Sequence, residues 1–109
     1  EAHGRGYASP TATKQGNIVT LTGLFQRKGG QWGHVATLPA GYRPPGRLIF
    51  NVNHQEISTR IDILPNGRVL WVAGGRKGNW VGISGITFST RLDFRFKLFD
   101  GWREFGSGY

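Results

Sequence analysis

The sequence predicts an all-β protein, an antiparallel β-sandwich in a single domain, and three observations carry that expectation. Apolar and polar residues alternate over short runs such as 17–25 (NIVTLTGLF) and 56–64 (EISTRIDIL), the period of a half-buried strand. No stretch shows the 3.6-residue recurrence of an amphipathic helix, so almost no helix is expected. The 18 glycines follow no Gly-X-Y period and fall between the alternating runs, where turns belong. Roughly seven or eight short strands at this spacing give a sandwich or a barrel.

Residues 1–6 (EAHGRG) read as a polar linker or tail, and residues 7–90 as the domain. Residues 7–13 form a first strand that Pro10 confines to an edge. In 17–25, Val19, Leu21, Gly23 and Phe25 point one way, while Ile18, Thr20, Thr22 and Leu24 point the other. The basic turn 27–30 (RKGG) closes that strand. A short apolar strand at 34–38 and a second at 47–52 flank the connector 39–46 (PAGYRPPG), which holds three of the five prolines. Proline fixes φ and donates no backbone hydrogen bond, so neither a helix nor a central strand runs through this connector. It reads chiefly as a rigid crossover that orders the strands. The alternative is a binding surface made by Tyr42, Arg43 and Arg47, and burial of Tyr42 would decide for architecture.

A tight reversal at 53–55 leads into 56–64, with Ile57, Thr59, Ile61 and Ile63 inward and Glu56, Ser58, Arg60 and Asp62 outward. Asn66-Gly67 supplies the positive φ that a two-residue hairpin turn demands. Its partner strand 68–73 (RVLWVA) is apolar on both faces, which suits a strand covered on both sides. A second basic, glycine-rich loop at 74–79 precedes a strand over 80–88 (WVGISGITF). Finally 91–99 alternates Leu92, Phe94, Phe96 and Leu98 against Arg91, Asp93, Arg95 and Lys97. Residues 91–109 therefore read as an aromatic extension packed on the domain or on a neighbouring subunit, since a free apolar strand invites edge pairing.

Composition narrows the chemistry. There is no cysteine, hence no disulfide, no thiol nucleophile and no cysteine-based metal site. With no methionine and a start at Glu1, the chain reads as a processed product or a fragment. No apolar run reaches the length of a membrane span, so membrane insertion is not expected. Fourteen Lys and Arg against six carboxylates give a formal charge of +8, which attracts polyanions such as glycans or nucleic acid.

Catalytic patterns are thin. His3, His34 and His54 lack metal-ligand spacing, and neither a P-loop nor a GxGxxG motif is present. His54, Glu56, Ser58 and Asp62 superficially resemble a hydrolase set but are read as a solvated strand face, because no oriented base or oxyanion hole announces itself. No enzyme activity, cofactor or metal is expected. Binding chemistry is richer: Arg27 and Lys28 precede Trp32, while Arg76, Lys77 and Asn79 lead to Trp80. Aromatic faces stack on sugar rings, and Arg and Lys pair with anionic groups. If the two loops share one end of the sandwich, these seven residues make a basic patch with an aromatic floor. The competing reading is core or interface packing for the tryptophans and solubility for the charges.

The ordered set NIVTLTGLF, W-x-x-V-A-T-L-P-A-G-Y-R-P, R-I-D-I-L-P-N-G-R-V and N-W-V-G-I-S-G-I-T-F resembles the small C-terminal β-sandwich domains of bacteriophage tail-fibre and tail-tip proteins. Such domains are also appended to some bacterial surface proteins. The similarity spans about residues 7–88, and the extension beyond it departs from the pattern. It implies a jelly-roll-like domain, typically a homotrimer, at the tip of a fibre that recognises a cell surface. The expected function is a non-catalytic attachment or receptor-binding module for cell-surface glycan or another anionic surface polymer, extracellular or on a virion. A ligand-free structural fibre subunit and a single-stranded nucleic-acid binder are the alternatives. The latter ranks lower because the basic residues fall in turns rather than on adjacent strand faces.

Overall fold

The computed structural model describes residues 6–29, 32–54, 57–74, 80–106, 108 and 109, with backbone alone for 53, 54 and 57. Among them the fold is all-β, with nine strands and no helix. The strands are β1 (Thr11–Gln15), β2 (Ile18–Thr22), β3 (Leu24–Gln26), β4 (His34–Thr37), β5 (Leu48–His54), β6 (Ile57–Ile63), β7 (Arg68–Ala73), β8 (Trp80–Gly82) and β9 (Thr87–Ser89). They form antiparallel sheets in the orders β1-β2-β9, β3-β8 and β4-β7-β6-β5. No helix among the described residues is long and apolar enough to cross a membrane.

The two smaller sheets meet at a corner. The alternating run 17–25 is not one strand: it breaks at Gly23, whose φ of 131° belongs to a region that residues with a side chain rarely adopt. A Cβ there would lie 2.6 Å from the Pro10 backbone, and the Leu24 N–H donates to the Ala8 carbonyl at 3.1 Å. The opposing run 80–88 breaks at the same level, into β8 and β9. The Gly23 N–H donates to Ser84 Oγ at 2.9 Å, and the Ile83 N–H to the Gly23 carbonyl at 2.9 Å. Both strands thus turn together, and the side-chain alternation survives the bend: Val19, Leu21 and Phe25 are all buried.

The four-stranded sheet supplies the other side of the core. Ile61, Ile63, Val69 and Trp71 are buried with Val19, Leu21, Phe25, Val81, Ile83, Ile86 and Phe88 in one cluster. Aromatic contacts bridge the sheets: Phe25 on β3 meets Trp71 on β7 edge-on at 6.2 Å, and Phe50 on β5 lies 6.4 Å from Phe88 on β9. Edge-on pairs of this kind contribute about 0.5–1.5 kcal/mol beyond area burial. Strand β7 buries Val69 and Trp71 on one face, while Leu70 and Val72 on the other are half-buried, so its apolar composition is fully covered on one side only.

The proline-rich connector proves to be architecture. Tyr42 is half-buried and packs against the core, and Pro44 is buried. Arg43 Nε donates to the Leu38 carbonyl at 2.9 Å, and the Leu38 N–H donates to the Gly67 carbonyl at 2.8 Å. This places the connector on the Asn66-Gly67 turn so closely that a Cβ on Gly67 would lie 2.5 Å from Arg43 Nε.

Three expectations need correction. The first strand begins at Thr11 rather than residue 7, with Tyr7 60% exposed ahead of Pro10. Residues 91–99 form no strand: the alternation is present, but among the described residues no strand pairs with it. Leu92, Phe94, Phe96, Phe99, Trp102 and Phe105 are exposed. Asp62, expected outward, is 0% exposed. The face it occupies is roofed by arginines and by the chain terminus.

Candidate functional site

The end of the fold where β3 stops and β8 starts gathers the basic and aromatic residues. Gln26, the last residue of β3, pairs with Trp80, the first of β8. Because the two strands are antiparallel, the exit from β3 and the start of β8 lie side by side. Arg76, Lys77 and Asn79 lie outside the described residues.

The loop after β3 is built on Trp71. The Trp71 N–H donates to the Gly33 carbonyl at 2.9 Å, and its indole Nε1 donates to the Gly74 carbonyl at 2.7 Å. Gly74 has φ 77°, and a Cβ there would lie 2.4 Å from the Ser58 carbonyl oxygen. Trp32 rests edge-on against Trp71, with ring centroids 5.0 Å apart at 87°. Over Trp32 lies the guanidinium of Arg27, its carbon 4.7 Å from the ring centroid, a cation–π arrangement. The result is a column, Arg27 on Trp32 on Trp71, anchored in the core by Phe25. Trp32 is thus both floor and packing: one edge is spent on the core and one face on Arg27.

Arg27 Nε is buried and has no hydrogen-bond acceptor among the described residues. A buried unmade donor is costly, roughly 1–3 kcal/mol, more for a charged group. An incoming carboxylate, sulfate or phosphate oxygen is the kind of acceptor that a guanidinium takes. Lys28 is exposed beside it, and Trp80 is half-buried opposite Gln26. Trp71 and Gln26 were not singled out by sequence. The one available signal for Trp71 was a tryptophan in a strand whose other residues after Arg68 are Val, Leu and Ala.

A second polar cluster lies on the β5–β6 face. Arg47 Nε donates to Asp62 Oδ2 at 2.8 Å, while Arg60 donates to both oxygens, Nε to Oδ1 and Nη2 to Oδ2, each at 2.8 Å. Arg60 Nη2 also donates to the Tyr109 hydroxyl at 3.0 Å, and the Arg47 guanidinium stacks 5.0 Å from the Tyr109 ring. Burial pushes the Asp62 carboxyl pKa up, but the hydrogen bonds from Arg60 and Arg47 outweigh it and the net direction is down. The same contact raises the pKa of Arg60. The cluster is internally satisfied and holds the chain terminus. Among the described residues no three His, Asp or Glu side chains converge as a metal site would need.

Compared with protein families, curated proteins and solved structures, the chain yields no match.

Proposed function

We propose that this chain is a non-catalytic attachment module that recognises an anionic surface polymer, an acidic cell-surface glycan in the first instance, at the end formed by Arg27, Lys28, Trp32 and Trp80. The observation that carries the reading is the Gln26–Trp80 register, which sets the exit from β3, with Arg27 and Lys28, beside Trp80, while Arg27 stacks on Trp32. The Arg27 guanidinium, with its Nε donor unmade, is a group whose bonding an anionic oxygen would complete, which supports an anionic ligand. The resemblance to tail-fibre tip domains supports the same reading. On it the sheets form a jelly-roll-like sandwich that works as a homotrimer at a fibre tip, extracellular or on a virion. A glycan array probed with the purified protein tests the reading. Binding to sulfated, sialylated or uronic-acid glycans that is lost in Arg27→Ala supports it; silence across the array and on anionic polymers overturns it.

The second reading, a structural fibre subunit with no ligand, draws on the exposed aromatic extension. It expects extended assemblies by electron microscopy together with that silence.

A further inference from the structure

Residues 91–106 form an arm that projects from the domain. It leaves from the end of β9, where the Thr90 N–H donates to the Asn17 carbonyl at 2.8 Å. It turns at Gly101, its two limbs are tied by the Arg95–Glu104 ion pair, and the chain returns to β5, where the Arg47 N–H donates to the Gly108 carbonyl at 3.3 Å. The chain is more extended than a compact domain of its length, with a radius of gyration of 14.9 Å against about 13 Å. Phe94 is 84% exposed, Phe96 76% and Phe99 88%. A contiguous apolar surface of this kind marks an interaction site.

The opposite side of the molecule offers a matching recess. Strands β1 and β4 are the far edges of their sheets, opposite β9 and β5. Between them opens an apolar groove of about 360 Å³, lined among others by Pro10, Ala12, Leu21, Val35, Leu38 and Val69. Among the described residues no strand pairs with the outer edge of β1 or of β4. The bulge between His34 and Ala36 roughens β4 against edge pairing, which leaves β1 as the regular template.

We infer that the arm of one copy adds as a strand to the free edge of β1 in a second copy, with Leu92, Phe94, Phe96 and Leu98 seated in the groove between β1 and β4. The inference rests on the homo-oligomer included in the proposed function and names the contact that builds it. Three matches argue for this occupant. Among the described residues the arm has a strand's alternation but no strand partner, and β1, paired with β2 on one side, has no strand on its other edge. Seven residues, 92–98, span roughly 23 Å in extended form, enough to run the ~17 Å of the five residues in β1 and past its end. Phe94 and Phe96 alone would bury roughly 300–500 Å² per arm, so that with the leucines and the facing groove the contact comes to the ~1,000 Å² scale expected of a specific interface.

The geometry is head-to-tail, since the donor element lies on the β9–β5 side and the acceptor on the β1–β4 side. Such a contact leaves an open assembly with one free arm at one end and one free groove at the other until a ring closes. A closed ring of three and an open filament are the two products of one contact.

The test uses the absence of native cysteine. Thr13→Cys and Asp93→Cys proteins are made separately, mixed, and treated with a short bismaleimide, while the solution mass is measured for the wild type and for Phe94→Ser/Phe96→Ser and Val35→Arg. A cross-linked heterodimer, an oligomeric wild type, and a fall to monomer mass in both variants with unchanged circular dichroism support the inference. An oligomeric wild type that neither variant dissociates, with no heterodimer, overturns the arm contact and leaves the oligomer standing. A monomeric wild type overturns both. A monomer that cross-links only within the Thr13→Cys/Asp93→Cys double variant overturns the contact by assigning the groove to the chain's own arm.

Discussion

Arg47 donates to Asp62 across the β5–β6 pair at 2.8 Å, and this contact places a fully buried carboxylate beneath a guanidinium that the chain terminus in turn covers. Asp62 is held by two arginines whose side chains keep 27% and 34% exposure, so the charges are paired without being wholly removed from water. A carboxylate so placed stabilises the fold only while both partners remain. Removing it leaves two cations on a face built for an anion.

Asp62→Asn should therefore lower the unfolding free energy by about 2–3 kcal/mol, the range for hydrogen bonds to a charged group. Arg47→Ala should cost less than Asp62→Asn, because Arg60 still holds both carboxylate oxygens. Urea denaturation of the three proteins checks the order. Equal midpoints would show that the cluster contributes nothing.

The depressed Asp62 pKa fixes the sign of the pH dependence. The unfolded carboxyl takes up its proton first, near pH 4. The Asp62 contribution is therefore complete above that range and is lost as pH falls through it toward the lower folded-state value. Thermal unfolding of wild type and Asp62→Asn should differ most above about pH 5 and converge in acid. A difference that widens in acid would contradict the assignment.

The buried carboxylate also shows where sequence reasoning stops. In ISTRIDI the alternation correctly separates Ile61 and Ile63 from Arg60 and Asp62, and both isoleucines are fully buried. Period alone assigns a face, though, and does not say what covers it. The cover is Arg47, fifteen residues upstream, and Tyr109, forty-nine residues from Arg60. The β2–β3 break was hidden for a similar reason. Gly23 keeps the two-residue period intact, so only its conformation and the close approach of Pro10 reveal the corner. The all-β class, the Asn66-Gly67 turn and the role of the connector were legible because each is set by local chemistry. The 91–99 segment was misread for the opposite reason: its pattern is a strand's, but a strand also needs a neighbour. The two basic loops could be named from sequence, but the nearness of Arg27 to Trp80 could not, because it depends on the Gln26–Trp80 register between residues more than fifty apart.

Gly23→Ala should be among the most damaging conservative changes in the chain. It combines a backbone conformation that costs roughly 1–3 kcal/mol in a residue with a side chain with a Cβ 2.6 Å from backbone atoms that cannot swing away. Gly85→Ala, with φ 96° but nothing within 4 Å of its Cβ, isolates the backbone cost alone. The melting temperature of Gly23→Ala should fall well below that of Gly85→Ala. Matching values would mean that Pro10 yields freely and that the corner is not fixed by this contact.

The Arg27–Trp32 column separates charge from geometry at the proposed site. Arg27→Lys keeps the charge but loses the planar guanidinium, with its stacking and its paired donors. If Arg27 Nε receives the anionic oxygen, Arg27→Lys and Arg27→Ala should both weaken binding of an acidic glycan about tenfold, roughly 1.4 kcal/mol. Lys14→Ala, which removes an equal charge from above Tyr42 on the other side of the fold, should leave it within about twofold. Trp80→Ala should weaken binding of neutral and acidic glycans alike, since stacking on a ring face does not depend on the ligand's charge. Titration calorimetry at two salt concentrations checks all four. A loss that tracks net charge, equal for Lys14→Ala and Arg27→Ala and absent in Arg27→Lys, would reduce the site to a diffuse positive surface and remove the column from the binding argument.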